Sequence, residues 1–391
     1  MQWYCTPRSQ IICVGCNTIA PIGKITQTAI APHGNEPRSD AISLHPKYMK
    51  YTTRCLFFVL LCCALNPCVQ AASAIAVKML TYTLGPENLA VVINDADPGS
   101  VEVGEYYRVA RNIPLQNMVH VRIEGSPHKL TVPAFIQLKA DITRQLPYSI
   151  EAVVMVWTAP YAVECNSITS AYTLGFDAAQ CVNTCAPGKA SPYFNSASIS
   201  PRADFGIRLS MLLPTQLVSK AKELIDRGVA SRQVPASAYL LSTSDKDRNV
   251  RAPFFPPSGY FPQKQLVIKS LHADSIENAR DVMFYETGLI TVPNLETLRF
   301  LPGALADHLT STAGDLLETG QMSSLRWLNA GATASYGTVS EPCNFTQKFP
   351  QPAVLLRHYL SGATAIEAYW KSVAWPAQGV FIGEPLAAPY R

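Results

Sequence analysis

The sequence predicts an α/β protein with three layers, a mainly parallel sheet covered by helices on both faces. Two observations carry this reading. From Leu89 onward, short β-branched apolar runs alternate with amphipathic stretches. The first three apolar runs are far enough apart for a helix to cross over between them, which parallel pairing requires. Residues 72–391 are also enough chain to bury a large core as one elaborated domain.

The elements follow in order. Leu89–Asn94 (LAVVIN) reads as a buried strand. Asp97 and Pro98 then look like an N-cap and the first helical position. Val101, Tyr106 and Val109 mark a helix that runs to Ala110. Met118–Ile123 is a strand, and Val132–Leu146 a helix with Phe135, Ile136, Leu138 and Ile142 as its apolar positions. Glu151–Trp157 (EAVVMVW) is a third strand. The pattern breaks from Ala159 to Pro214, a stretch with three cysteines, several prolines and glycines, and no sustained period. A loop this long is uncommon unless it is functional or cross-linked. We expect it as an insertion beside the carboxyl edge of the sheet. Gln216–Ala230 resumes as a helix. Tyr239–Ser242, Leu266–Ser270, Asp281–Glu286 and Gly303–Thr310 are strand candidates. Ser323–Ala330 is helical and Ala332–Val339 a strand, followed by helices at Ala353–Leu360 and Ala365–Val373 and a last strand at Gly379–Ile382.

The N-terminal region reads as a leader. Met49, Lys50 and Arg54 form a basic start, Cys55–Leu65 is unbroken apolar chain, and Val69-Gln70-Ala71 supplies small residues for cleavage after Ala71. The apolar run is too short to span a bilayer, which needs about 20 residues. Residues 1–48 then lie upstream of the true first residue, and the protein is expected to be exported to the periplasm or beyond, with no transmembrane helix after cleavage. Cys13-x-x-Cys16 lacks a second ligand pair at zinc spacing. The full chain has 32 basic and 28 acidic residues; without residues 1–71 it has 26 of each. That balance removes the electrostatic case for a nucleic-acid partner.

Four cysteines remain: Cys165, Cys181, Cys185 and Cys343. In an oxidising compartment they suggest two disulfides with three possible connectivities, at least one bridge joining two of the first three. One bridge with two buried thiols, or four ligands on one zinc, are the alternatives.

Ligands of an open α/β sheet bind at the carboxyl ends of its strands. The polar residues that follow the apolar runs are therefore the candidate pocket: Asp95, Trp157, Tyr161, Glu164, Asp245 and Glu341. Asp95-x-Asp97 could hold a divalent ion, but capping explains Asp97, so no metal is expected and no cofactor fingerprint is present. Asp245, Asp247, Arg248 and Arg251 read as a solvated ion-pair cluster. Asp307, His308 and Ser311 are a poor triad, because Asp307 and His308 point to opposite faces of a strand. Cys343 with His308 as its base is a more plausible pair, since a thiolate needs a base and both residues follow apolar runs.

The segments NDADPGSVEVGEYY (94–107), WTAPYAVECNSI (157–168), LIDRGVAS (224–231), STSDKDRNVR (242–251), PGALADHLTSTAGDL (302–316), GATASYGTVSEPC (331–343) and FIGEPLAAPY (381–390) resemble a family of secreted bacterial proteins from genomes that carry exosortase. The resemblance implies export and an exosortase-bearing host, and no particular activity. More distantly, the C-terminal half is similar to gingipain-type cysteine peptidases, which have a caspase-like fold. In them one strand ends in a catalytic His-Gly and a following one in the catalytic Cys. Here Thr287-Gly288 stands at the first position and Ser311 nearest the second; Gly331–Val339 and Gly383-Glu384-Pro385 match later segments. This implies a caspase-like domain with both catalytic groups replaced. The expected function is a non-catalytic exported protein that binds a protein or polymer at the cell envelope. The rival is a cysteine hydrolase using Cys343 and His308.

Overall fold

Nearly every apolar run becomes a strand of one continuous sheet. The computed structural model describes residues 82–318 and 320–391, so the leader and the extension before it lie outside the described residues. The strands are β1 (Leu89–Asn94), β2 (Met118–Val121), β3 (Lys129–Leu130), β4 (Ala152–Val156), β5 (Ala162–Val163), β6 (Asn166–Ser167) and β7 (Leu209–Leu212). The second half supplies β8 (Ala236–Ser242), β9 (Gly259–Phe261), β10 (Leu266–His272), β11 (Val282–Thr287), β12 (Phe300–His308), β13 (Ala334–Thr338) and β14 (Gly379–Gly383). Eleven of them form the order β2-β1-β4-β7-β14-β13-β12-β11-β8-β10-β9, and β3, β5 and β6 form a small separate sheet.

Eight of the ten pairings in the large sheet are parallel. The exceptions are the β9 edge and the junction of β13 with β14. That junction reverses direction. The carboxyl ends of β1, β4 and β7 therefore lie at the opposite edge from those of β8, β11, β12 and β13. The single carboxyl edge assumed from the sequence is in fact two.

Both faces are covered. Strand register puts Tyr285 and His308 on one face, against Trp327 of helix Leu325–Ala330. Phe284 and Asp307 are on the other, where Phe284 meets Tyr359 of helix Pro352–Leu360 edge-on. Trp370 of helix Ala365–Ser372 stacks on Phe381 of β14 at 4.3 Å, and its Nε1 donates to the Ser210 carbonyl of β7. A large ring with its one polar group satisfied thus ties a helix to two adjacent strands of the sheet.

Helix Pro98–Arg111 starts as expected, with Asp97 accepting from Gly99 N. Its buried face is Ser100, Val103, Gly104 and Tyr107, whereas Val101 and Val109 are exposed. Gly104 explains the choice. A Cβ there would collide with Ile93 of β1, so the helix lies close to the strand only through this side. Ile136 of helix Val132–Gln145 is likewise exposed, while Phe135, Leu138 and Ile142 are buried. The Gly383-Glu384-Pro385 segment clamps this region. Glu384 is buried and accepts from Tyr107 Oη at 2.6 Å and from Arg111 Nε at 3.0 Å.

The insertion is far from structureless. It contains β5–β7 and the short helices Ile168–Leu174, Ala178–Val182 and Pro201–Phe205. It reaches the carboxyl edge of β13, rather than that of the β4 strand it follows. Disulfides join Cys165 to Cys181 and Cys185 to Cys343. Ser340 Oγ donates to the Cys165 carbonyl, and the buried Lys348 Nζ donates to that of Thr184. Among the described residues no helix is long and apolar enough to cross a membrane.

The bridge from Cys185 to Cys343 closes 158 residues of sequence separation. Replacing both with serine is expected to lower unfolding free energy by about 2–4 kcal/mol in urea titrations. Peptide mapping without reductant is expected to recover the 165–181 and 185–343 pairs; any other pairing contradicts this arrangement.

Candidate functional site

The carboxyl ends of β11 and β12 carry the most unusual chemistry in the molecule. Their parallel register sets Glu286 beside Asp307 and Thr287 beside His308. Side chains alternate along each strand, so the two carboxylates share one face and Thr287 and His308 share the other. Arg251, from the 3₁₀ segment Asn249–Phe254, inserts on the carboxylate face. Its Nη1 lies 2.6 Å from Asp307 Oδ1 and 3.6 Å from Glu286 Oε2. It also donates to the Pro350 carbonyl at 3.2 Å and the Thr287 carbonyl at 3.0 Å. The side chains of Arg251, Glu286 and Asp307 are 2 %, 1 % and 1 % exposed.

One guanidinium cannot neutralise two carboxylates. Burial pushes Glu286 up to about 8, with Asp307 adding to the rise and Arg251 opposing it. Burial raises Asp307 too, against a direct pull from Arg251. The pair therefore holds one proton near neutral pH, and the shorter contact to Arg251 favours Asp307 as the ionised partner.

His308 sits behind this pair, also buried. Trp327 Nε1 donates to its Nδ1 at 2.9 Å, which places the histidine proton on Nε2. Burial, with the Arg251 charge beside it, pushes the imidazole down to about 3. It is a neutral, enclosed side chain.

Above these groups a cleft of about 270 Å³ opens between the segments that follow β8, β12 and β13. Its walls include Asp247, Arg248, Thr310, Ser311, Glu341 and Cys343. Arg248 Nε donates to Thr310 Oγ1 at 2.9 Å, and Nη1 pairs with Asp245 at 3.1 Å. Thr338 Oγ1 donates to the Ser311 carbonyl at 2.9 Å. The turn after Ser311 comes down on β13 where a Cβ on Gly314 would strike the Gly337 carbonyl, so glycine is required there. Cys343 has φ 55°, with its backbone N–H donating to Glu341 Oε1 at 2.7 Å.

The structure therefore brings Ser311, Glu341 and Cys343 together, with Asp245 behind them through Arg248. Thr287 and His308 lie beneath, closed off from solvent. The Cys343–His308 dyad is not formed. Cys343 is bonded to Cys185, and His308 already accepts from Trp327. Trp157 and Tyr161 are both 0 % exposed, so they are core residues rather than pocket walls. Trp157 Nε1 donates to the Pro160 carbonyl, and Tyr161 Oη donates to Asp315. Glu164 is an exposed residue at φ 50° in the turn between β5 and β6. Asp95 pairs with His120 at 2.7 Å at the end of β1, on the oppositely directed half of the sheet. The reading of Arg251 as part of a solvated cluster is also corrected, because it is the most deeply held cation of the site. Its one sequence signal is its setting among apolar residues in Asn249-Val250-Arg251-Ala252-Pro253-Phe254.

No known protein family matches the sequence, and no curated protein does. The chain is similar to two solved structures. One is the Arg-specific cysteine proteinase gingipain R (RgpB), at 10 % identity and TM-score 0.45 over 78 % of this chain and 79 % of that one. The other is a complex of the pro- and mature domains of Porphyromonas gingivalis RgpB, at 8 % identity and TM-score 0.42 over 77 % and 79 %.

Two outcomes are expected of the buried cluster. Arg251→Ala leaves a carboxylate unpaired in the core and is expected to cost about 3–5 kcal/mol of stability by urea titration. Glu286 keeps its proton to a higher pH when folded than when unfolded. Folding then binds protons between about 4.5 and 8, and stability falls as pH rises through that window. Glu286→Gln cannot ionise, so its stability is expected to decline less than that of the natural protein across the same window. Parallel pH–stability curves for the two proteins would contradict the assignment.

Proposed function

We propose that the protein is exported and binds a polypeptide or polymer of the cell envelope in the cleft at the carboxyl ends of β12 and β13, without turning it over. The observation that carries this reading is the state of Cys343. The one cysteine in the cleft wall is bonded to Cys185, and the nearby histidine is enclosed with Trp327 on its Nδ1. A serine hydroxyl without a base is a poor nucleophile, and Thr287 at the other candidate position cannot take a proton near neutral pH. What the cleft does present is hydrogen-bonding capacity of both kinds: Arg248 donates, Glu341 accepts, and Ser311 does both, whereas the buried Thr310 hydroxyl is taken up by Arg248 and Gln321. That suits an extended, mixed-polarity chain. Two disulfides fit an oxidising compartment, and the resemblance to exosortase-associated secreted proteins supports the envelope as the setting.

The test uses fluorescein-labelled denatured casein as a polypeptide probe. Anisotropy is expected to show saturable binding that weakens at least tenfold in Ser311→Trp, while mass spectrometry after long incubation shows intact probe. Cleavage that grows with time and disappears in Ser311→Ala would sink the proposal, and so would the absence of saturable binding.

A further inference from the structure

Beside the cleft lies a second concavity of about 180 Å³. Its apolar walls come from four separate parts of the chain: Phe194 in the insertion, Phe254 after β8, Phe349 and Pro352 before and within helix Pro352–Leu360, and Ala374. Arg251 and the polar residues Thr346, Gln347, Gln351 and Ser372 complete the lining. Phe349 lines both this pocket and the cleft, so the two are neighbours. Phe254 is 47 % exposed, a large ring left partly in water.

From this arrangement we infer that the pocket receives one uncharged aromatic side chain of the chain bound in the cleft. The inference rests on the binding function proposed above for where that chain lies, and on the pocket alone for what it selects. Size is the first argument. A cavity of about 150 Å³ lined by apolar side chains holds a benzene molecule, so this one has room for a single ring and little more. Shape is the second. Three phenylalanine rings and a proline offer edge and face contacts that an aromatic guest uses and an aliphatic one does not.

Charge is the third argument. The guanidinium of Arg251 opposes a lysine or arginine guest directly. An acidic guest gains little, because Asp307 already pairs with the same guanidinium. A neutral ring loses no hydration of charge on entering. Arg251 Nε has no hydrogen-bond partner among the described residues, so the cation is held by its Nη atoms alone.

The test reads the pocket apart from the cleft. N-acetylphenylalaninamide is titrated into the full-length protein and the Ala374 and Thr346 methyl resonances are followed by NMR. Saturable shifts are expected with this amide, at least tenfold weaker effects with N-acetyllysinamide and N-acetylglutamic acid amide, and loss of the shifts in Ala374→Phe, which fills the space. Phe254→Ala, a change at a partly exposed ring, is expected to weaken binding about threefold or more without unfolding the protein. Equal shifts with the lysine and phenylalanine amides, or none with either, would overturn the inference. If the phenylalanine amide binds while casein does not, the pocket stands and the cleft-binding function fails.

Discussion

A single guanidinium holds the carboxyl ends of β11 and β12 in place. Arg251 reaches Asp307 at the end of β12, the Thr287 carbonyl at the end of β11, and the Pro350 carbonyl ahead of helix Pro352–Leu360. Its own 3₁₀ segment carries Phe254 at one end and follows directly on Arg248 at the other. The polar cleft and the aromatic pocket are therefore two outlets of one buried tie. Such an arrangement is costly to disturb, since removing either sign of charge strands the other in a medium that solvates it poorly. The same burial that makes the tie rigid also drives a proton onto the carboxylate pair. Strongly shifted titrations often mark catalytic groups. Here the two shifted carboxyl groups are each about 1 % exposed, packed at the ends of β11 and β12.

The reversal of strand direction at β13 and β14 shapes everything around this tie. It sends the carboxyl ends of the two half-sheets to opposite edges, so polar residues after β1 and after β12 cannot serve one site. The insertion nevertheless reaches the β13 edge. Its cysteines, and the buried Lys348 donating to Thr184, fasten it beside the cleft. Phe194 of the insertion thereby becomes a wall of a pocket whose other walls come from the far half of the chain.

Strong, local patterns were legible in the sequence. β1 and β4 are mostly apolar runs, and Asp97-Pro98 marks a helix start that the structure reproduces. The alternation argument also held for Asp307 and His308, which face opposite sides as a strand requires. Weak or non-local signals were lost. β7 is only Leu209–Leu212, a fully buried four-residue strand inside a stretch dominated by turns and cysteines. Pattern cannot tell so short a run from loop. Trp157 and Tyr161 looked like pocket residues because they follow a strand, yet each finds its hydrogen-bond partner inside the fold and stays buried. Arg251 was misplaced for the opposite reason. A cation in a charged stretch reads as surface, and its acidic partners lie on strands whose adjacency only the sheet order reveals.

The most direct test of this account is the protonation state of His308. Long-range ¹H–¹⁵N correlation of the imidazole nitrogens, with His308→Gln to assign the signal, follows the ring from pH 4.5 to 8. The account requires a neutral ring throughout, with its proton on Nε2 and Nδ1 accepting from Trp327. A ring that titrates with a midpoint between 6 and 7 would be open to solvent and competent as a base, and would contradict a purely structural role for this end of β12.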